Sequence, residues 1–358
     1  MKHLSPVYAV AFGFLLLLPC SGAASMDGGG SVEPPAGREG GTFRHIVLRP
    51  GESRFRLYPL TNYVNTAIDT AQVSNAFSQD GYWHHHSRVF ERIVNPLDAI
   101  AAAGGWDELF RQELLSGAVL PNLTLHLLGN GYDFRVLAEW FDHYRVPFPF
   151  FWAFLASYAG YVGNEAIEVS NPEINAIDHI SDLYFFNLVG NLLFISDSVT
   201  DLVHNRWQLR NWAGQPVFDA RQRRILNASN NYVLRPWLWS ERVRPFLYFG
   251  LHYFVGFSMP LPDNTGLSLG AGLATTDPFE EDEFAMVRPS GGIFWDDQDR
   301  LLTSIVFNGT DDSLVRVNLY PDLLRTGVAD VGFFLGFSQH GVPVFGVAVE
   351  KLFAIGLS

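Results

Sequence analysis

The last third of the chain alternates between large apolar residues and small or polar ones. From Phe246 to Met259 one set of alternate positions carries Leu247, Phe249, Leu251, Tyr253, Val255, Phe257 and Met259. The other set is Phe246, Tyr248, Gly250, His252, Phe254, Gly256 and Ser258. A period of two is typical of a β-strand with two different faces. This segment therefore predicts a strand with one uniformly apolar face.

The same alternation recurs over Leu267–Leu273, Val331–Phe337 and Val347–Leu357, with Gly and Ala enriched on the second face. Short charged turns such as Asp296–Arg300 separate these segments. Strands of about ten residues cross a bilayer when they are tilted, and they must close because unpaired backbone groups cannot stay in hydrocarbon. The pattern predicts an antiparallel transmembrane β-barrel of about 8–12 strands over residues 206–358, in which the Leu247/Phe249/Leu251 side faces lipid. The alternative is a secreted soluble β-sandwich, in which one face of each strand packs against a second sheet.

Residues 228–358 resemble bacterial outer-membrane barrels in this pattern, although the chain ends in Ile355-Gly-Leu-Ser358 rather than in an aromatic residue. The resemblance implies an outer-membrane location, contact with membrane lipid, and the outer-membrane assembly machinery as a partner.

Residues 96–205 show helical patterns instead. One helix is predicted from about Pro121 to Tyr144. A second begins near Pro149 and ends at Glu165–Glu168, and a third begins at Asp178. Because the second and third helices are apolar on nearly every side, they must be buried in protein or lipid. The sequence thus predicts an α+β membrane protein in which an apolar helical bundle is inserted before the barrel.

The N-terminal region has three parts with different predicted roles. Residues 1–24 join a basic start, an apolar stretch and small residues, as a secretory signal peptide does. Residues 25–41 are rich in Gly and Pro and predict a disordered linker. Residues 42–95 predict extended segments that join the barrel. Cys20 is the only cysteine, so lipidation at this residue is an alternative to simple cleavage.

Charge narrows the range of functions. The chain carries 24 Lys and Arg against 37 Asp and Glu, for a net charge of −13. Nucleic-acid binding needs a basic face and is therefore excluded. Charged residues make up only 17% of the chain, whereas soluble domains have about a quarter. This composition indicates a surface that is poor in charge.

The helical segment contains polar residues in an order that resembles VanZ-like membrane proteins. That order is His126 in the first helix, Glu165 at the end of the second, and Ser181-Asp182-Leu-Tyr-Phe-Phe-Asn187-Leu-Val-Gly190 in the third. The match covers residues 126–190 and lacks the basic residue that usually precedes the first His. The resemblance implies a membrane-embedded polar cluster of unassigned activity.

His126, Glu165 and Asp182 are the candidate catalytic residues, because ionisable groups among apolar helices are costly to bury and are often functional. Glu165 and Glu168 share one helix face, and Asp178 and Asp182 share another. The three helices are expected to bring His126, Glu165 and Asp182 within reach of one another, directly or through one water. A His between carboxylates provides an acid/base pair or ligands for a divalent metal. The alternative is that these groups form buried pairs that fix helix packing. No nucleophile stands in the cluster, and no cofactor is predicted.

Three further motifs are weaker candidates for functional sites. His84–His86 contains possible metal ligands, but consecutive residues point to different sides. Ser338 and His340 share a strand face without a carboxylate to orient the His. Gly129-Asn-Gly131 lacks the Lys of a phosphate-binding loop.

Three function classes follow from these observations. The first is a structural, lipid-contacting or interaction protein of the outer membrane. The second is a lipid- or envelope-modifying hydrolase that uses the His126/Glu165/Asp182 cluster. The third is a narrow channel, although Phe246, Tyr248, Phe254 and Phe334 would block much of its lumen.

Overall fold

The structure is a computed structural model in which the described residues are 44–48, 58–68, 82–116, 119–169, 176–219, 224–236, 242–250, 252–275, 287–297, 300–310, 313–324, 330–337, 343–349 and 352–357. The predicted signal peptide, the linker, Cys20, Ser338 and His340 lie outside these residues.

Thirteen strands of the described residues form one sheet in the order β1-β4-β5-β6-β7-β8-β9-β10-β11-β12-β13-β2-β3. Their bounds are β1 Arg210–Asn211, β2 Val217–Asp219, β3 Arg224–Leu226, β4 Tyr232–Leu234, β5 Arg244–Phe249, β6 His252–Pro260, β7 Gly266–Thr275, β8 Val287–Asp297, β9 Arg300–Thr310, β10 Ser313–Leu319, β11 Val331–Phe337, β12 Pro343–Val349 and β13 Leu352–Leu357. Strands β4 to β13 are ten successive antiparallel neighbours. The predicted antiparallel sheet is therefore present, and it is curled.

Closure of the sheet into a barrel was predicted, but the strand order within the described residues is open, with β1 and β3 at its two ends. The segment between β1 and β4 explains this difference. It lies against the concave face, where the Trp212 ring centroid is 5.6 Å from that of Phe294. Further along, Gln215 Nε2 donates to the Leu319 carbonyl at 3.1 Å. Its strand β2 then pairs in parallel with β13, so a crossing segment takes the place of a direct ladder between the first and last strands.

The two faces of the sheet differ as the sequence predicted. In β11, Gly332, Phe334 and Gly336 are buried, whereas Phe333, Leu335 and Phe337 are exposed. The rings of Phe246, Tyr248, Phe254 and Phe294 are buried together on the concave side. These rings fill that space, which disfavours a channel.

Helices precede the sheet. Their bounds are α1 Tyr58–Ala67, α2 Tyr82–Val94, α3 Pro96–Ala102, α4 Trp106–Leu114, α5 Val119–Pro121, π1 Asn122–Gly129, α6 Asn130–His143, α7 Pro149–Glu168, α8 Ala176–Ile180, π2 Ser181–Phe186, α9 Asn187–Ile195, α10 Asp197–Asp201 and π3 Leu202–Arg206, where π marks a π-helical segment. A short 3-10 turn, Pro321–Leu323, follows β10. The three long helices predicted from the sequence are confirmed as α5–π1–α6, α7 and α8–π2–α9.

The prediction of extended N-terminal segments that join the barrel was wrong for the described part of residues 42–95. This part contains α1 and α2 and pairs with none of the described strands. In α2 the buried residues are His86, Val89 and Ile93. Their spacing is that of one helix face, but the apolar pattern was not recognised because His86 is polar. Residues 46–48 lie in a bend rather than in a strand, and they donate their backbone N–H groups to the Glu139 carboxylate at 2.7–2.9 Å. The Glu139 carboxylate thus supplies the hydrogen-bond acceptors that a neighbouring strand would otherwise supply.

The helices cover the convex face at one end of the sheet. The rings of Phe249 and Tyr232 stack at 5.5 Å, and both side chains belong to the core formed with α6 and α7. Phe249, predicted to face lipid, is instead fully buried beneath the helices, and Leu251 lies outside the described residues. The amphipathic pattern of residues 97–118 predicts packing on the barrel rim or at the membrane interface, but the described part of this segment packs through Ile100 and Leu109 on the other helices.

Within the described residues, no single helix has the length and apolarity needed to span a bilayer. One bent pair, Ala176–Ile195 with Asp197–Arg206 at 93°, meets the length and composition requirement.

Candidate functional site

His126 and Asp182 meet between two helices, as predicted. Nε2 of His126 lies 3.1 Å from Oδ2 of Asp182, and both side chains are largely buried. His126 belongs to π1 and Asp182 to π2. π-helical turns are rare and are frequently found at functional sites. The sequence predicted this contact but gave no sign of the π-helical turns that position it.

Burial sets the protonation of this pair. It lowers the pKa of His126 to about 4, and the nearby Asn187 partly offsets this shift. Burial also raises the pKa of Asp182 well above its usual range, and the carboxylates of Asp178 and Glu165 add to the increase. Both partners therefore favour their uncharged forms, so the contact is a hydrogen bond between an imidazole and a carboxylic acid rather than an exposed ion pair.

Glu165 has a different partner from the one that the sequence suggested. Its Oε2 lies 2.5 Å from Nδ1 of His179, while Nε2 of His179 is 2.5 Å from Nη1 of Arg92. Because a guanidinium only donates hydrogen bonds, Nε2 accepts, and Nδ1 carries the proton that it donates to Glu165. Sequence reasoning missed His179, although it directly follows Asp178 at the predicted helix start.

The Glu165–His179 pair is also shaped by burial. Burial lowers the pKa of His179 to about 3, with a smaller contribution from the Arg92 charge. Burial and then the Glu113 carboxylate raise the pKa of Glu165 to about 8, against the opposing effect of Arg92. The imidazole is therefore neutral, and the glutamic acid holds its proton over much of the physiological pH range.

One small cavity connects the two pairs. It has a volume of about 20 Å³, and its lining residues are Thr66, Leu125, His126, Asn130, Tyr161, Asn164, Glu165, Asn187 and Asn230. This volume holds one or two water molecules. His126 and Glu165 therefore line one buried cavity, with Asp182 bonded to His126 and Glu165 bonded to His179.

Several atoms in this region have unused hydrogen-bonding capacity. Among the described residues, Oε1 of Glu165, Oδ1 of Asp182, Nδ1 of His126 and Oγ of Ser181 are buried and have no hydrogen-bond partner. Buried polar groups nearly always have partners. Such a group of unsatisfied atoms indicates a place where water or a ligand binds.

The remaining residues of the Ser181–Gly190 motif position the helices. Asn187 accepts a hydrogen bond from Nδ2 of Asn130 at 2.7 Å. At Gly190 a Cβ atom would lie 2.4 Å from the carbonyl oxygen of Leu127, so only Gly allows this close approach of α9 and π1. Asn187 and Gly190 therefore hold His126 opposite Asp182.

His84–His86 does not form a metal site of its own. His84 is exposed, His86 is buried, and Nδ1 of His85 lies 3.0 Å from the Ala166 carbonyl. These side chains point to different sides, as predicted for consecutive residues.

No protein-family model, curated protein or solved structure matches this chain. The functional interpretation therefore depends on the geometry of the sheet and of the buried polar region.

Proposed function

We propose that this protein is an outer-membrane protein of the bacterial envelope, with a structural, lipid-contacting or interaction role. In this proposal the curled sheet completes a barrel in the bilayer and meets lipid through its convex face. The observation that carries the proposal is the inverted polarity of the sheet, which is apolar outside and partly polar inside.

The convex face carries a continuous row of apolar side chains across seven neighbouring strands. Cross-strand pairing places one such residue on each strand: Phe257, Leu269, Ile293, Ile305, Val317, Leu335 and Phe345. All seven are exposed or half-exposed. Soluble monomers rarely expose an apolar surface that extends this far, so this face needs an apolar partner.

The adjacent row, which points to the concave side, has a different composition. It consists of Ser258, Ser268, Phe294, Ser304, Asn318, Phe334 and Gly346. Its polar members bond to one another, as in the 3.2 Å contact from Nδ2 of Asn318 to Oγ of Ser304. A soluble sandwich would place its apolar row inside, whereas a membrane barrel has this reversed order.

The lengths of the strands agree with a bilayer. Strands β8 and β9 contain 11 residues each, which corresponds to about 36 Å at the usual rise per residue. A strand of this length, tilted by about 40°, spans an apolar band of about 25 Å. The bilayer is therefore the partner that best fits the convex face.

Replacement of Val255 by Arg tests this proposal. Val255 is in the middle of β6 and is 70% exposed. In a bilayer, the Arg should cost about 2–4 kcal/mol near the midplane. We expect less V255R protein in the outer-membrane fraction and a reduced heat-modifiable band on a gel.

The matched control is Phe337→Arg, at the end of β11, where the side chain is also exposed. Near the membrane interface the cost should fall to about 0–1 kcal/mol. If V255R accumulates as well as the parent protein, or if the parent protein is recovered in the soluble periplasm, the proposal is wrong. In water, Arg at such an exposed position should be harmless.

A second candidate function is a lipid- or envelope-modifying hydrolase. The observation that favours it is the His126–Asp182 hydrogen bond beside a cavity that also contacts Glu165. Such a group of residues can activate water as an acid/base system. The cavity is large enough only for water, so the helices would have to open to admit a lipid substrate.

The hydrolase hypothesis predicts that the parent protein releases fatty acid from phospholipid vesicles and that Asp182→Asn abolishes this release without loss of folded protein. Glu91→Gln, an exposed change on α2, should retain the activity. No release by the parent protein above the blank would contradict the hydrolase hypothesis.

A further inference from the structure

Four side chains from two neighbouring helices meet beside the cavity. Glu165 and Glu168 lie in the last turn of α7, and Asp178 and His179 lie in α8. One ligand atom from each of these four residues lies within 4.8 Å of the other three. We call these four residues the quartet.

The charges at the quartet do not balance. The quartet has three carboxyl groups, and the Glu113 carboxylate adds to the repulsion that acts on Asp178. The three quartet carboxylates in turn act on the buried Asp182. Arg92 is the cation that acts on Glu165 and Asp178. Several carboxylates that face one cation in a buried site need protons or a further positive ion. A divalent ion would supply that missing charge.

A second observation points to a ligand here. Glu165 is fully buried, yet its Oε1 accepts no hydrogen bond. Buried polar atoms nearly always have hydrogen-bond partners, and both oxygens of Asp133, in the same helical layer, have them. The free lone pairs of Glu165 are available for coordination. Glu168 is already held in place, because its Oε1 accepts from Nδ2 of Asn164 at 3.0 Å.

The donor set determines which kind of ion fits. Three carboxylates carry three negative charges, which a divalent ion and the Arg92 cation together balance. One imidazole favours first-row transition metals over Mg²⁺ and Ca²⁺. Ligand atoms around such an ion, with bonds of about 2.0–2.2 Å, lie about 3–4 Å apart. To reach that spacing, ligand atoms that are now up to 4.8 Å apart must approach one another, whereas Oε2 of Glu165 and Nδ1 of His179, now 2.5 Å apart, must separate to admit the ion. We propose that the quartet binds one divalent first-row transition-metal ion.

Binding changes the bonds of His179. Nδ1 faces Glu165 and carries a proton without metal. Coordination through Nδ1 requires the ring proton to be on Nε2, so Arg92 gives up its hydrogen bond to that nitrogen. Any carboxyl proton held by Glu165 or Asp178 leaves to solvent, because a coordinating carboxylate must be ionised.

Electron paramagnetic resonance with Mn²⁺ as the probe tests the proposal on the chelator-treated, full-length protein. We expect one bound Mn²⁺ per chain, with magnetic coupling to one imidazole nitrogen. Glu165→Gln and Asp178→Asn should each weaken Mn²⁺ binding at least tenfold. Mg²⁺ at equal concentration should compete poorly.

The matched control is Glu91→Gln, which removes an exposed carboxylate from α2 and should leave Mn²⁺ binding unchanged. Binding that survives both quartet variants, as binding at His84–His86 would, overturns the proposal. If the variants fail to fold, measurements on the parent protein alone still test the proposal. A spectrum without nitrogen coupling, or no rise in melting temperature with Mn²⁺, then overturns it.

Discussion

Asp133→Ala is expected to destabilise the protein by about 3–5 kcal/mol, because it removes one buried carboxylate and leaves several buried donors without their acceptor. Asp133 is on α6 and accepts hydrogen bonds from Tyr58, Asn62, Asn211 and Tyr232 at 2.8–2.9 Å. Urea unfolding followed by tryptophan fluorescence measures the loss.

The positions of these donors explain why the effect should be large. Tyr58 and Asn62 lie on α1, Asn211 on β1 and Tyr232 on β4. A single carboxylate thus joins the N-terminal helix, the central helix and the first two strands in the sheet order. Its loss should weaken the attachment of the helical layer to the sheet and affect the whole fold.

Asp142→Ala is the matched control on the same helix. Its carboxylate is half-exposed and pairs with His45 at 2.8 Å, and exposed pairs contribute about 0–1 kcal/mol. Equal destabilisation by Asp133→Ala and Asp142→Ala would show that Asp133 does not have the structural role that its contacts indicate.

Asp133 also shows what the sequence could not reveal. It is one acidic residue within an apolar helical pattern, and its donors lie between 71 and 99 residues away in the chain. Periodicity reports on neighbours within an element, so partners at this separation leave no local signal. The predicted helices and strands were right where one residue type repeats at a fixed spacing.

The candidate site could be predicted only in part, for the same reason. His126, Glu165 and Asp182 were expected to lie together because each adjoins an apolar stretch and a short loop joins the helices that carry Glu165 and Asp182. The His126–Asp182 contact confirms one part of this expectation. The partner of Glu165 was missed because His179 contributes one polar side chain to a short helix and makes no pattern. The π-helical turns depend on packing of α9 against π1 at Gly190, which is a tertiary effect.

The prediction of a closed barrel came from the alternation of apolar residues. Alternation shows which face each strand presents, but it does not show whether the first and last strands pair. The open order found here depends on the segment 212–231, whose short strands β2 and β3 carry no clear alternation. Its side chains bond across the concave face, for example from Nδ2 of Asn227 to Oδ1 of Asn318 at 2.7 Å.

A second large loss of stability is expected on disruption of a buried ion pair on the concave side. Nη1 of Arg235 donates to Oδ1 of Asp296 at 2.7 Å, and both side chains are at most 5% exposed. The guanidinium also lies 5.2 Å from the ring centre of Trp212. Arg235 follows β4 and Asp296 is in β8, so the pair connects distant parts of the sheet across its interior.

Asp296→Ala should destabilise the protein by about 3–5 kcal/mol, because it leaves the Arg235 charge buried without its carboxylate. The double variant Arg235→Met with Asp296→Leu removes both charges and should recover much of that loss, since apolar replacement of a whole buried pair is often nearly neutral. Asp297→Ala, at the partly exposed neighbouring position that pairs with Arg300, should cost less than about 1 kcal/mol. Urea unfolding of all these variants measures the differences in their free energy of unfolding. A double variant as unstable as Asp296→Ala alone would show that the pair holds the concave face by its specific geometry rather than by charge compensation.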